Sequence, residues 1–297
     1  MKRSEAVWGY LFVLPLFLGF LIFLGGPLLA SLVLTFMKWD MLSPPQFVGL
    51  ANYLELAGDR IVGLSFYNTL FLMLGVPVGM LLSLLLAMAM CQPIRGIGFF
   101  RVIYFLPVIS SIAAVALLWR WIYNPQFGLM NYLLGLVGIP GPDWLGSEEW
   151  AKPALMIMGV WGGLGLNMIL YIAALQNVPL HLYEAATLDG ANPWQRFRHV
   201  TWPMITPTTF FILITSVIGS FQVFAQIHLL TRGSGPGSVG GGPHWATTTV
   251  IYYLWQQAFS YYRMGYAAAL AWVLAVVILL ITWLQFRISR RWVFYNE

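Results

Sequence analysis

The side chains able to do acid–base, nucleophilic or metal chemistry are few and scattered. Among 297 residues there are 10 Asp and Glu, 4 His and one cysteine, Cys91. The histidines (His181, His199, His228 and His244) fall in no H-E-x-x-H or similar ligand spacing, so no metal is implied. No Asp or Glu lies in the long apolar stretches. That removes the paired carboxylates of a membrane enzyme and the buried charges that mark ion and proton pathways. A G-x-x-x-x-G-K-[ST] phosphate loop is missing too, and the Gly-rich run Gly233–Gly242 has no lysine and reads as a flexible loop. The expectation is a chain with no catalytic residue, no metal and no cofactor of its own. If it pumps, a partner hydrolyses the nucleotide.

Uncharged polar residues form fainter patterns. Thr215, Gly219, Gln222 and Gln226 recur at +4, +7 and +11, on one face of a helix. Gly163, Asn167 and Tyr171 repeat every four residues, and Gly159-x-x-x-Gly163 has the spacing of close helix packing. Such residues serve either as interhelical glue or as a polar path for a hydrogen-bonding solute. Both readings stand at this point, with Asn167, Ser220, Gln222 and Gln226 as the candidate solute contacts.

The most ordered connection is Asn177 to Pro207. Pro179 opens a helix that continues through Leu180–Leu188, and Gly190 supplies the residue that ends it. Asn192 is a good N-cap for a second helix, with Pro193 at its first position and Gln195 completing a capping box. That helix is expected to run to about His199, before Pro203 breaks the pattern. Helix–helix connections usually take ~2–8 residues, so this one is unusually elaborate. Ala185 and Ala186 would let another surface approach closely, flanked by Glu184 and Asp189. A docking knob fits this pattern; so does a closed loop in which those acids pair with Arg196 or Arg198.

The elements that must carry these residues are set by composition. The chain is 60% hydrophobic and 8% charged, with a net charge of +5, against ~25% charged in soluble domains. So few charges cannot cover a hydrated surface, and the solvent for most of the chain is lipid. With 14 Trp, 14 Tyr and 20 Phe, the composition also excludes disorder. Arg and Lys are spread among short segments rather than clustered on one face, which argues against nucleic acid. A helix needs ~20 apolar residues to cross a bilayer. Six stretches qualify, and the expected fold is all-α with spans at about 8–36, 67–91, 102–122, 154–176, 206–230 and 264–286. Residues 177–205 would be a cytoplasmic loop and 231–262 an extracytoplasmic one. Within the latter, 246–262 is read as packed on the bundle or interfacial rather than crossing. The first stretch is too long for a signal sequence and lacks an A-x-A site, so it reads as a retained span. With the N-terminus inside, nine positive residues, including Arg287, Arg290 and Arg291, fall in cytoplasmic segments and six fall outside.

Three sequence blocks then point to a family. Glu184-Ala185-Ala186, Asp189-Gly190-Ala191 and Val200-Thr201-Trp202-Pro203 closely resemble the E-A-A…D-G-A…I-T-L-P signature of binding-protein-dependent ABC importer permeases. The sugar-uptake group of the maltose and glycerol-3-phosphate type is similar over nearly the whole chain. Its landmarks resemble Phe47–Leu56, Ser65–Leu70, Phe99–Ser111, Leu230–Gly237 and Phe259–Leu270. The resemblance implies a type I importer permease fold of six transmembrane helices, forming half of a pathway for a sugar or related polar solute. Glu184, Ala185, Ala186, Asp189 and Gly190 would dock into a cleft of an ATPase subunit and transmit its motion. The implied partners are an ATPase dimer carrying ATP and Mg, a second, paralogous permease and an extracytoplasmic solute-binding protein. The implied location is the inner or plasma membrane of a prokaryote, with both termini cytoplasmic. Trp202 departs from the usual Leu, and the Ser238–Trp245 insertion lengthens the outer loop. A stand-alone facilitator or channel is the alternative that the polar stripes also permit.

Overall fold

Long helices with apolar residues on every side are stable only where lipid surrounds them. The computed structural model describes residues 3–93, 95–233 and 241–294. Five helices in it are long and apolar enough to cross a membrane, or six when one bent pair is counted as a single crossing. They are α1 (Val7–Leu34), α3 (Arg60–Met90), α7 (Glu148–Gln176), α9 (Pro193–Phe221) and α12 (Met264–Ser289), with α2 (Ala51–Gly58) between the first two. The chain divides into two compact units, Met1–Val62 with Leu254–Val276, and Gly63–Tyr253 with Val277–Glu297.

In the first unit, α1 has no buried residue in its apolar window. Beyond it a two-stranded hairpin pairs β1 (Met37–Lys38) with β2 (Gln46–Phe47), antiparallel. Its turn is fastened by Asp40, whose carboxylate accepts from the backbone N–H of Ser43 at 2.7 Å, the Ser43 hydroxyl at 2.8 Å and the Leu42 N–H at 3.0 Å. These donors, led by the Ser43 N–H, pull the Asp40 carboxyl down to about 2. Buried Asn52 donates to the carbonyls of Thr35 at 2.7 Å and Met37 at 3.0 Å, satisfying groups at the end of α1. Arg263 pairs with Glu55, and the Met264 N–H donates to the Trp39 carbonyl at 2.9 Å.

In the second unit, α7 is the central helix. Ser147 caps it, accepting from the Trp150 N–H at 3.2 Å, and Glu148 and Glu149 fill its first turn, where acidic side chains complement the dipole. The stretch expected as a single span at 102–122 is two helices, α4 (Ile97–Ile109) and α5 (Ile112–Ile122), bent by 103°. Pro107 removes a backbone donor within α4, and Ser110 (φ −77°, ψ 144°) and Ser111 (φ −59°, ψ 131°) are extended. At 13 residues α4 is only about 20 Å long, too short to cross alone. After α5 comes the short α6 (Leu129–Leu136). Helix α4 meets α7 at Gly165, where a Cβ would lie 2.2 Å from the Tyr104 carbonyl oxygen, so only glycine permits the crossing.

The loop after α7 holds α8 (Leu180–Leu188) and then α9. Pro203 does not break α9 as the sequence reading expects. A π turn at Phe197–Thr201, in which the Trp202 N–H donates to the Phe197 carbonyl, makes room for the ring and carries the helix on. Nor is the expected span 206–230 continuous. Helix α9 ends at Phe221, Gln222 and Phe224 leave helical geometry, and α10 (Ala225–Leu230) follows. The Val223 carbonyl freed by this break accepts from the Thr249 hydroxyl at 2.8 Å. Residues 241–253 are packed rather than spanning: Thr247, Thr248 and Thr249 are fully buried, ahead of α11 (Val250–Trp255). Asn68 holds this segment by donating to the carbonyls of Trp245 and Thr248, both at 3.0 Å. Residues 234–240, half of the Leu230–Gly237 landmark and the first three residues of the Ser238–Trp245 insertion, lie outside the described residues.

Two apolar clusters lie among the described residues of the second unit. One gathers Trp119, Tyr123, Trp144, Leu155, Met158 and Ile227. The other gathers Leu84, Ala87, Met168, Tyr171, Ile205 and Ile212.

Candidate functional site: a polar cavity and an exposed loop

Two adjoining cavities, of about 250 and 490 Å3, open among α3, α4, α5, α7, α9 and α10 and share Gly159, Gly163, Asn167, Ser216 and Gln226. Small residues make the space: Gly75 and Gly79 on α3, with Gly159 and Gly163 on α7 and Gly219 on α9, line its narrower part. The wider part is bounded by Pro107, Ser110 and Trp161. No lining residue of either cavity carries a charge.

The polar groups there differ in how they are committed. The Thr215 hydroxyl donates to the Phe211 carbonyl at 2.9 Å and that of Ser220 to the Val217 carbonyl at 2.7 Å, so their protons stay on their own helix. The amides of Asn167 and Gln226 have no hydrogen-bond partner among the described residues, and both are half-buried. An amide offers two donors and an acceptor, and burying one without a partner is costly. Two such groups facing one uncharged cavity can hydrogen-bond a neutral, hydroxyl-bearing solute.

The sequence pattern located this site only in part. Thr215, Gly219, Ser220, Gln226, Gly163 and Asn167 all line it. Gln222 does not: the helix ends there, and its side chain is exposed outside the cavity. Tyr171, counted on the same stripe as Asn167, is buried in the second apolar cluster. Ser216, which faces both cavities, was missed, although its four-residue spacing from Ser220 is the signal that would have found it.

The 177–205 loop is built by local hydrogen bonds. Gly190 (φ +75°) ends α8 with a paired closure, the Ala191 N–H reaching the Ala186 carbonyl at 2.9 Å and the Gly190 N–H the Thr187 carbonyl at 3.0 Å. The expected capping box is present: the Gln195 N–H donates to the Asn192 side chain at 2.9 Å, and the Asn192 N–H to that of Gln195 at 2.8 Å. Tyr183 and Thr201 share a hydrogen bond at 2.9 Å, joining α8 to the π turn of α9. Trp202 packs against Phe197 there. Glu184, Ala185, Asp189 and Gly190 are exposed, with Ala186 half-buried between them. Neither acid pairs with Arg196 or Arg198; Arg196 instead reaches the Thr187 hydroxyl at 3.4 Å. Leu188 is 88% exposed and Trp194 68%, far more than a self-contained loop would leave uncovered.

Comparison with known proteins shows the family to which the chain belongs. The chain is 36% identical over 299 residues to the probable ABC transporter permease protein YesP of Bacillus subtilis, covering 99% of this chain and 94% of that one. It is 35% identical to the lactose transport system permease protein LacF of Rhizobium radiobacter, covering 98% and 96%. Among solved structures it is similar to a chain of a bacterial ABC transporter involved in import of the acidic polysaccharide alginate, with a TM-score of 0.81, 27% identity and coverage of 98% and 96%. The family described as binding-protein-dependent transport system inner membrane component matches residues 10–294. The chain therefore belongs to that family, as a multi-pass membrane subunit with the importer-permease fold whose work is transport rather than catalysis.

Proposed function

We propose that this permease subunit forms half of an ATP-driven import pathway for a neutral saccharide or a related polyhydroxylated solute. The observation that carries the reading is the uncharged cavity onto which the free amides of Asn167 and Gln226 converge. Ser220, Ser216 and Thr215 add hydroxyl oxygens to the same lining, whereas Gln222 is assigned no contact. The lactose permease relative supports a sugar as solute. The alginate importer carries an acidic polysaccharide; a carboxylated sugar would be desolvated here with no cation of this chain to meet it.

Coupling is assigned to Glu184, Ala185, Ala186, Asp189 and Gly190. Their exposure, with that of Leu188 and Trp194, supports docking into a groove on an ATPase subunit, which would hold the ATP and Mg. Because α9 runs unbroken from Pro193 to Phe221, a push on the loop is delivered along a rigid rod to Ser216 and Ser220 at the cavity. A second, paralogous permease would complete the pathway, and a solute-binding protein would deliver solute from outside. The positive-residue distribution supports cytoplasmic termini and a cytoplasmic 177–205 loop in a prokaryotic inner or plasma membrane.

The test is co-purification of the tagged chain from its native membrane beside a Glu184→Lys variant. An ATPase and a second permease should accompany the wild type, with the ATPase depleted in the variant. Recovery of the chain alone in both samples, with downhill transport by the purified chain in liposomes, would overturn the reading in favour of a facilitator.

A further inference from the structure

A separate cavity lies wholly within the first unit, and no part of the transport reading uses it. Its volume is about 460 Å3, within the ~300–1,000 Å3 of small-molecule sites. Trp39, Tyr261, Tyr262 and Tyr266 wall it, with the Glu55–Arg263 ion pair among them. Arg263 lies over the Tyr266 ring at 4.4 Å, and both members of the pair are about half exposed.

Two observations separate this place from ordinary packing. Tyr262 (φ +54°) and Met41 (φ +68°), the latter next to cavity-lining Asp40, are two of four non-glycine residues with left-handed backbone among those described. Side chains with a Cβ are strained there, and such strain gathers at ligand clamps. Moreover, aromatic residues stay open beside the strained backbone: Tyr261 and Tyr262 are 48% and 53% exposed. Burial of the rings is thus not what the strain secures.

We infer that this cavity is a saccharide-binding subsite. A pyranose ring has a face of C–H groups that stacks on aromatic rings, and an edge of hydroxyls that donate and accept at once. Trp39, Tyr261 and Tyr262 supply the rings. Glu55 and Arg263 supply an acceptor and donors side by side, matched to adjacent hydroxyls and neutral as a pair. The inference rests on the saccharide reading above and adds a sugar contact in a different part of the chain.

Saturation-transfer-difference NMR on the full chain in lipid nanodiscs, with lactose, maltotriose, trehalose and mannobiose as probes, tests it. Tyr262→Gly relieves the left-handed strain while deleting the ring, so folding should be kept; Tyr261→Ala is the second variant. Binding of at least one sugar should weaken roughly tenfold in these variants and persist in an Asn167→Leu/Gln226→Leu chain. No saturation transfer to any probe with the wild type, or equal transfer with and without the rings, overturns the subsite. So does an assembled importer carrying Tyr262→Gly that keeps its sugar contacts but whose ATP hydrolysis is no longer stimulated by the solute-binding protein, which would make the cavity a socket for a protein side chain. ATP-dependent uptake by the intact importer is read separately. Sugar uptake with ring-insensitive transfer defeats only the subsite, whereas uptake of a non-sugar solute and of none of the sugars defeats the saccharide reading beneath it.

Discussion

The cavity and the 177–205 loop are assembled in opposite ways. The turn and the cap of the loop are closed by partners within five residues: Ala191 to Ala186, Gly190 to Thr187, and Asn192 with Gln195 in both directions. Its backbone is tied mostly to near neighbours, with Tyr183–Thr201 the longer link, and Glu184, Asp189, Leu188 and Trp194 stay exposed to meet something else. The cavity is the reverse. Asn167 and Gln226 lie on helices separated by the whole loop, and they face one space only because glycines on α3, α7 and α9 leave room between them. A docking element must keep its shape while gripping a moving partner, so local closure suits it. A pathway must change shape, so its lining is held by packing between helices that can shift.

That contrast can be broken most sharply at Gly165. Gly165→Val drives a side chain into the Tyr104 carbonyl, and overpacking of this kind costs about 3 kcal/mol. Thermal melting in detergent should show a strongly destabilised chain. Unchanged stability would mean that the α4–α7 crossing does not hold the cavity open.

A smaller stability effect with a large functional one is expected at Gly190. Nothing lies within 4 Å of a Cβ placed there, so Gly190→Val pays only the left-handed backbone term, about 1–2 kcal/mol. The protein should still insert, yet ATP-driven uptake in proteoliposomes should fall by more than an order of magnitude. Near-normal uptake would remove the coupling role from this turn.

The gentlest probe is Asn192→Ala, which deletes the cap of α9 at a cost of about 1 kcal/mol. Because α9 is continuous, the loss should fray only its first turn. Hydrogen exchange should rise at Trp194 and Gln195 and stay unchanged at Ser216 and Ser220. Faster exchange at the cavity would show that the two regions are less independent than their hydrogen bonds imply.

Much of the molecule was legible beforehand where the cause is local. Gly190 as the helix stop and Asn192 with Gln195 as the capping box follow from residue chemistry over a few positions, and the structure contains both. The apolar runs likewise marked where long helices form, because lipid leaves a backbone no other solution. The exceptions are instructive. Pro203 was expected to end a helix, but a π turn absorbs it, and that adjustment has no signature in spacing. Gln222 was counted with Thr215 and Gln226 on one face, but the helix stops at Phe221.

Residue types and their local order determined that this chain lives in a membrane, keeps Asp and Glu out of its long apolar stretches, and presents an acidic turn between two long helices. The tertiary structure alone decided that α4 and α5 part by 103° at Ser110 and Ser111, that Thr249 takes up the Val223 carbonyl where α9 ends, and that Asn167 and Gln226 share a cavity. The reason is range. Hydrogen bonds between near neighbours are written in consecutive residues, whereas a cavity exists only once helices distant in sequence have packed and left space between them.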